Sequence, residues 1–270
     1  MAEALPAWSL PAGAVDDIAL PVEWPERITP EWAFGGADGA GVRVCVLDSG
    51  VEAGHPLVGE VERAMKVTVA GDETRVEEAD TGDRSGHGTA CAGIVRALAP
   101  ACSLTSVCVL GAGATGSGAE LLEGLRWAID EGFGVINMSL STTNRRYAGR
   151  LHELADRAYF RRTMLVASAH NMPVESFPWR FSSVISVGSH EDRDPFAYFY
   201  NPKPPVEFFA RGVGVQAPWL SGGTLRVTGN SFATPHVTAI CALILSKHPE
   251  LTPFQLKSIL FLTARNVATG

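Results

Sequence analysis

Val42-Arg43-Val44-Cys45-Val46-Leu47-Asp48-Ser49-Gly50 is a short, almost wholly apolar run that stops on a carboxylate and a Ser-Gly turn. Such a run suits a strand buried on both faces, although runs this short also fit buried helix. Similar runs follow at residues 103–110, 134–140, 163–169 and 184–188. Between them lie helical patterns. Leu121, Leu122, Leu125, Ala128 and Ile129 fall on one stripe, and Leu151, Leu154, Ala155, Ala158 and Tyr159 fall on another. Thr252-Pro253 places an N-cap and a first-turn proline before a helix over 254–264. Strands alternating with helices predict an α/β fold: three layers, with a mostly parallel sheet covered by helices on both faces. In such a fold the chemistry gathers at the carboxyl ends of the strands.

With 270 residues, 46% hydrophobic and 19% charged, the chain reads as one large globular domain preceded by an arm. The arm covers residues 1–23, within a stretch to about residue 34 that is rich in Pro, Ala and Trp and is read as wrapped on the surface; the domain covers 24–270. A net charge of −7 argues against nucleic acid or an anionic membrane surface as partner. No apolar run approaches the roughly 18 residues of a membrane span. The start, Met1-Ala-Glu-Ala-Leu-Pro6, lacks the basic and apolar regions of a secretory signal, so a cytoplasmic location is expected. Five cysteines, Cys45, Cys91, Cys102, Cys108 and Cys241, include no C-x-x-C pair. They read as small buried residues in a reducing compartment, not as zinc ligands.

Four segments carry the chemistry. Asp48 ends the first strand. His87 opens a small-residue helix within Ser85-Gly86-His87-Gly88-Thr89-Ala90. Asn171 follows the strand Met164-Leu165-Val166-Ala167-Ser168-Ala169. Ser231 lies in Gly229-Asn230-Ser231-Phe232-Ala233-Thr234-Pro235-His236, ahead of an apolar helix over 237–246, with Pro235 placed in the first helical turn. A serine hydroxyl is a poor nucleophile until a base takes its proton. An imidazole does this near neutrality, and a buried carboxylate fixes its tautomer. The tetrahedral intermediate then needs fixed donors for its oxyanion. Each segment alone has a bland reading as a cap or a turn. Together, in the order Asp, His, Ser, they point to acyl transfer.

On these segments the chain resembles the subtilisin-like serine proteases. Leu47-Asp48-Ser49-Gly50 is similar to the family's aspartate motif, His87-Gly88-Thr89 with Ala92-Gly93 to its histidine motif, and 229–237 to its serine motif. Val135-Ile136-Asn137-Met138-Ser139-Leu140 resembles the strand that binds substrate backbone, and Ala167-Ser168-Ala169-His170-Asn171 the segment with the oxyanion asparagine. The resemblance runs from about residue 24 to 264. It implies a roughly seven-stranded sheet and a serine endopeptidase acting on peptide or protein substrates without a cofactor. Its site would have Asp48, His87 and Ser231 as triad, Asn171 as oxyanion donor, and Ser139, Leu140, Ser141 and Ala169 contacting substrate. Two alternatives stay open: a transpeptidase or macrocyclase of the same family, and an inactive binding module with this fold. Oligomeric state is not indicated.

The departures from the family pattern are specific. Asn230 stands where many relatives carry threonine, and Ser141 where the backbone-binding strand usually ends in glycine. Only five residues separate Asn171 from Phe177. The tight calcium site of secreted relatives is expected to be absent. Its ligand loop is missing between the histidine helix and the next strand, and its aspartate after His-Pro is Leu57, so no metal is expected. His170 and His236 read as a loop histidine and a packing histidine. The acidic stretch 72–83 reads as a solvated loop.

Overall fold

A computed structural model describes residues 6–11, 14, 18 and 23–267, apart from 72 and 81. Its strands are β1 (Arg43–Asp48), β2 (Arg63–Ala70), β3 (Glu73–Glu78), β4 (Ser103–Cys108), β5 (Val135–Met138), β6 (Met164–Ser168), β7 (Ile185–His190), β8 (Tyr198–Tyr200), β9 (Phe208–Arg211), β10 (Val215–Trp219) and β11 (Gly223–Val227). Its helices are α1 (Pro30–Phe34), α2 (His87–Leu98), α3 (Gly118–Asp130), α4 (Ala148–Phe160), α5 (Asn230–Lys247) and α6 (Pro253–Thr263). Nine strands form one sheet in the order β3-β2-β4-β1-β5-β6-β7-β9-β8. The seven from β2 to β9 in that order run parallel; β3 and β8 add antiparallel edges. The roughly seven-stranded parallel sheet implied by the resemblance is therefore observed; the apolar runs marked five of its strands and missed β2, β9 and both antiparallel edges. β10 and β11 pair separately as a hairpin.

The strand β1 shows why both faces are covered. Val44 and Val46 enter the core on the side of α2 and α5, while Cys45 and Leu47 enter the core on the side of α3 and α4. The period of two places the next even residue, Asp48, on the α2/α5 side. On that side α5 is the central pillar. Every residue from Phe232 to Leu245 is buried, as expected for a helix apolar all round. Thr252 caps α6 by accepting from the Gln255 N–H at 3.3 Å, with Pro253 in the first turn as its sequence predicts.

The acidic stretch is a correction. Residues 73–78 are not loop but the edge strand β3, which pairs with β2 and sets Glu77 3.4 Å from Lys66. Most of the 1–23 arm lies outside the described residues; Trp8, Leu10 and Ile18 within it are exposed. Trp24 packs on Trp32 at 5.9 Å between ring centres, and Trp32 stacks on His248 at 4.3 Å.

Candidate active site

At the carboxyl end of β1, Asp48 is fully buried. Its Oδ1 accepts from the Ser49 N–H at 2.8 Å, and His87 Nδ1 reaches Oδ1 at 2.8 Å and Oδ2 at 3.0 Å. His87 is the first residue of α2, so the helix must approach the strand end closely. Gly88 makes that possible: a Cβ there would lie 2.0 Å from the Gly50 carbonyl oxygen and 3.2 Å from Asp48 Cβ. Gly86 precedes the helix at φ 87°, a left-handed turn that favours glycine. Burial alone pulls the imidazole pKa down. The charge of Asp48, its hydrogen bond and the charge of Asp83 together outweigh burial, so His87 titrates above the ordinary histidine value. With Nδ1 committed to Asp48, Nε2 is the nitrogen left to exchange a proton.

Ser231 is the second residue of α5, and Pro235 falls in the second turn, one turn deeper than the sequence pattern placed it. The reason is that α5 starts at Asn230, well before its apolar run. Proline has no N–H, so the Ser231 carbonyl loses its helical partner four residues on. Two other donors take that place: Ser139 Oγ at 2.7 Å and the Cys91 thiol at 3.6 Å. Ser139 is itself held by Asn137 Nδ2 at 3.1 Å, and Asn137 Oδ1 accepts from Thr238 Oγ1 at 2.9 Å. The end of β5 is thereby tied to the second residue of α5. Asn171 sits just past β6, and its Oδ1 accepts from the Asn230 N–H at 2.9 Å, which leaves Nδ2 as the free donor. A Cβ at Gly229 would lie 3.3 Å from Ser231 Oγ and 3.4 Å from Asn171 Nδ2, so hydroxyl and amide flank one spot.

His87, Ser231 and Asn171 line a single cleft of about 420 Å³, together with Ser139, Leu140, Ser141 and Ala169. All eight predicted site residues, Asp48 included, meet at the carboxyl edge of the sheet. A family model described as the subtilase family matches residues 39–270. The chain belongs to the subtilase family. It is a hydrolase of the serine endopeptidase type. It is 34% identical over 247 residues to subtilisin DY of Bacillus licheniformis, covering 86% of each. It is also 34% identical to subtilisin E of Bacillus subtilis, over 85% of this chain but 62% of that longer protein. Among solved structures it is similar to a cold adapted subtilisin-like serine proteinase, with TM-score 0.67 and 28% identity over 83% of this chain and 82% of that one. A psychrophilic protease is alike in fold, with TM-score 0.71 and 23% identity over 91% and 95% of the two chains.

One residue of this subtilase was missed by the sequence reading. Asp83, taken as the end of a solvated loop, is half-buried and accepts four hydrogen bonds. Ser49 Oγ (2.7 Å) and the Ser85 N–H (2.9 Å) reach its Oδ1; the Thr89 N–H (2.8 Å) and Thr89 Oγ1 (2.7 Å) reach its Oδ2. Ser49 Oγ in turn accepts from the Gly88 N–H at 3.1 Å. The carboxylate braces the turn before His87 against the strand that ends in Asp48. The available signal was its place four residues before the histidine, masked by the surrounding acidic stretch.

The other histidines follow their bland readings. His236 is buried and its Nδ1 donates to the Phe232 carbonyl at 2.9 Å; burial pushes its pKa down to about 4. His170 lines the cleft, its Nδ1 accepting from the Met172 N–H at 3.0 Å. Four cysteines are buried as expected, while Cys108 is half-buried. Asp48, His87 and Cys91 offer donor atoms within 4.8 Å of one another. The grouping does not suit a metal: Asp48 is bonded to His87, and burial, reinforced by the Asp48 charge, keeps the Cys91 thiol protonated.

The calcium region of secreted relatives can be tested on its own atoms. Leu57 is exposed and brings no oxygen from its side chain. The carbonyls nearby are engaged by Arg96 of α2. Its Nε donates to Val58 (3.0 Å), Nη1 to Pro100 and Cys102 (2.7 Å each) and Nη2 to Glu60 (3.0 Å). A guanidinium thus occupies the centre of a ring of backbone oxygens, and these residues do not fit a calcium ion.

Proposed function

We propose that this subtilase cleaves peptide bonds through an acyl-enzyme, with Ser231 as nucleophile, His87 as general base and then acid, and Asp48 as the orienting carboxylate. The observation that carries the reading is the two-oxygen grip of a fully buried Asp48 on His87 Nδ1, in a cleft shared with Ser231. The grip fixes the tautomer and favours the imidazolium that forms when Ser231 gives up its proton. Asn171 Nδ2 and the Ser231 backbone N–H are the oxyanion donors in this reading; both act on charge that develops only as the carbonyl is attacked. The backbone of Ser139, Leu140 and Ser141, with Ala169 opposite, takes the substrate as an added strand. The Ser139 hydroxyl does not join in, because it is committed to the Ser231 carbonyl.

The finer part of the proposal is an intracellular processing role. Two features support it. The five cysteines are unpaired, which suits a reducing compartment, and the Arg96 guanidinium engages four carbonyls next to Leu57, which has no side-chain oxygen for calcium; this suits a medium poor in that ion. The test of the chemistry is labelling by a fluorophosphonate probe. Wild type is expected to label at Ser231, and labelling is expected to vanish in Ser231→Ala and fall sharply in His87→Ala. Equal labelling of wild type and Ser231→Ala overturns the assignment. Product masses then separate hydrolysis, which adds one water, from transfer of the acyl group to an amine.

A further inference from the structure

Asn230, the residue immediately before Ser231, departs from the family pattern, and its surroundings give the departure a purpose. Its side chain does not open to the cleft. Oδ1 accepts from the Ser189 N–H at 2.9 Å and from Ser189 Oγ at 2.5 Å, which fastens it to β7. Nδ2 donates to the Ala169 carbonyl at 3.2 Å and the His170 carbonyl at 3.3 Å, just past β6. Its backbone N–H donates to Asn171 Oδ1 at 2.9 Å. One residue therefore joins the start of α5, the end of β7 and the 169–171 segment, and every polar atom of its amide is used.

The geometry of Asn171 depends on this set. An amide oxygen that accepts from the Asn230 N–H cannot also face the developing oxyanion, so the amide is oriented with Nδ2 outward. The carbonyls of the two residues before Asn171 are held by Asn230 Nδ2, which fixes the backbone from which the Asn171 side chain projects. A side chain as short as threonine carries a single hydroxyl in place of the two amide ends, and cannot span both strands in this way.

We propose that Asn230 is a positioning residue for the oxyanion donor: it clamps the 169–171 segment to β7 and α5 so that Asn171 presents its amide N–H to the reacting carbonyl. The proposal rests on the reading of Asn171 as that donor, and a double-mutant cycle separates the two. Asn171→Ala is expected to lower kcat by about 10² to 10³, the size known for this substitution in subtilisin and adopted from it. Asn230→Ala is expected to lower kcat by about tenfold with KM within about twofold, since it misplaces a donor that acts in the transition state. In the Asn171→Ala background the same change is expected to cost less than about twofold, because residues acting through one another are not additive. Rates are taken per site titrated by the fluorophosphonate probe, so that loss of folded protein does not count. Asn230→Ser, which keeps a short polar side chain at the helix start, replaces alanine if that variant does not fold. An unchanged kcat, a loss confined to KM, or the same tenfold loss in both backgrounds overturns the positioning role. No loss of kcat in Asn171→Ala overturns the oxyanion reading itself, and the proposal with it.

Discussion

His87 is held between two carboxylates that do different work. Asp48 touches the ring; Asp83 touches the turn that carries it, and adds its charge from further away. Both raise the imidazole pKa against the effect of burial, so removing the outer charge lowers it. In the proposed mechanism His87 must be neutral to act as base, and a lower pKa keeps the neutral form to lower pH. The acid limb of kcat/KM is therefore expected to move to lower pH in Asp83→Asn, with the maximal rate reduced as the turn loosens. A pH–rate profile checks this; an unmoved or upward-shifted limb would refute it. At this scale the sequence was generous with residues that have a motif around them. Asp48, His87, Asn171 and Ser231 each sit in a distinctive neighbourhood. Asp83 does not: among Glu73, Glu77, Glu78 and Asp80 it looks like one more solvated charge. Only the coordinates show that four donors converge on it.

A proline in the second turn of α5 deletes one helical hydrogen bond, and the vacancy is filled from another strand. Ser139 Oγ reaches the Ser231 carbonyl, and Asn137 and Thr238 hold Ser139 in place. Ser139→Ala leaves the half-buried Ser231 carbonyl with only a weak thiol donor and takes the acceptor from Asn137 Nδ2. The expected loss is about 1–3 kcal/mol of stability, read as a lower denaturant midpoint at unchanged m-value. A change within about 0.3 kcal/mol would show that water or Cys91 satisfies the carbonyl as well. The central elements were legible because burial on both faces writes continuous apolar runs, as in β1, β5 and β6. The α5 boundary was misjudged because the helix begins in polar motif residues that carry no apolar signal. β2, β3 and β8 to β11 were not read as strands: β3 and β11 carry little apolar signal, while β8 and β9 are too short, at three and four residues, to set a pattern. A segment such as Glu73-Thr74-Arg75-Val76-Glu77-Glu78 has one apolar residue to reveal it.

At the scale of the whole molecule, Arg96 ties α2 to the turn at 58–60 and to the α2–β4 connection at 100–102. Arg96→Ala would strip four carbonyls of a charged donor at a half-exposed site. The expected loss is about 3 kcal/mol, discounted for solvent, or roughly 5–10 °C in Tm. Wild type is expected to melt within about 5 °C of the same temperature in EDTA and in millimolar calcium; a larger shift would show that a structural calcium site exists elsewhere. Leu57 and the short α2–β4 connection are the sequence features from which no calcium site is expected in this region. That Arg96 gathers four carbonyls was not legible there, because nothing in Ile94-Val95-Arg96-Ala97-Leu98 distinguishes a half-exposed donor fork from an ordinary surface charge.

The ring of carbonyls around Arg96 makes this corner of the molecule a different thermodynamic device from a bound ion. A fold completed by a free ion is open: its stability carries a term in the activity of that ion, and follows the medium as the ion is diluted, buffered or sequestered. Here the positive charge is part of the polymer. It is made on the ribosome in a fixed ratio of one per chain, has no dissociation constant, and gives the surrounding solution no handle by which to loosen this corner of the molecule.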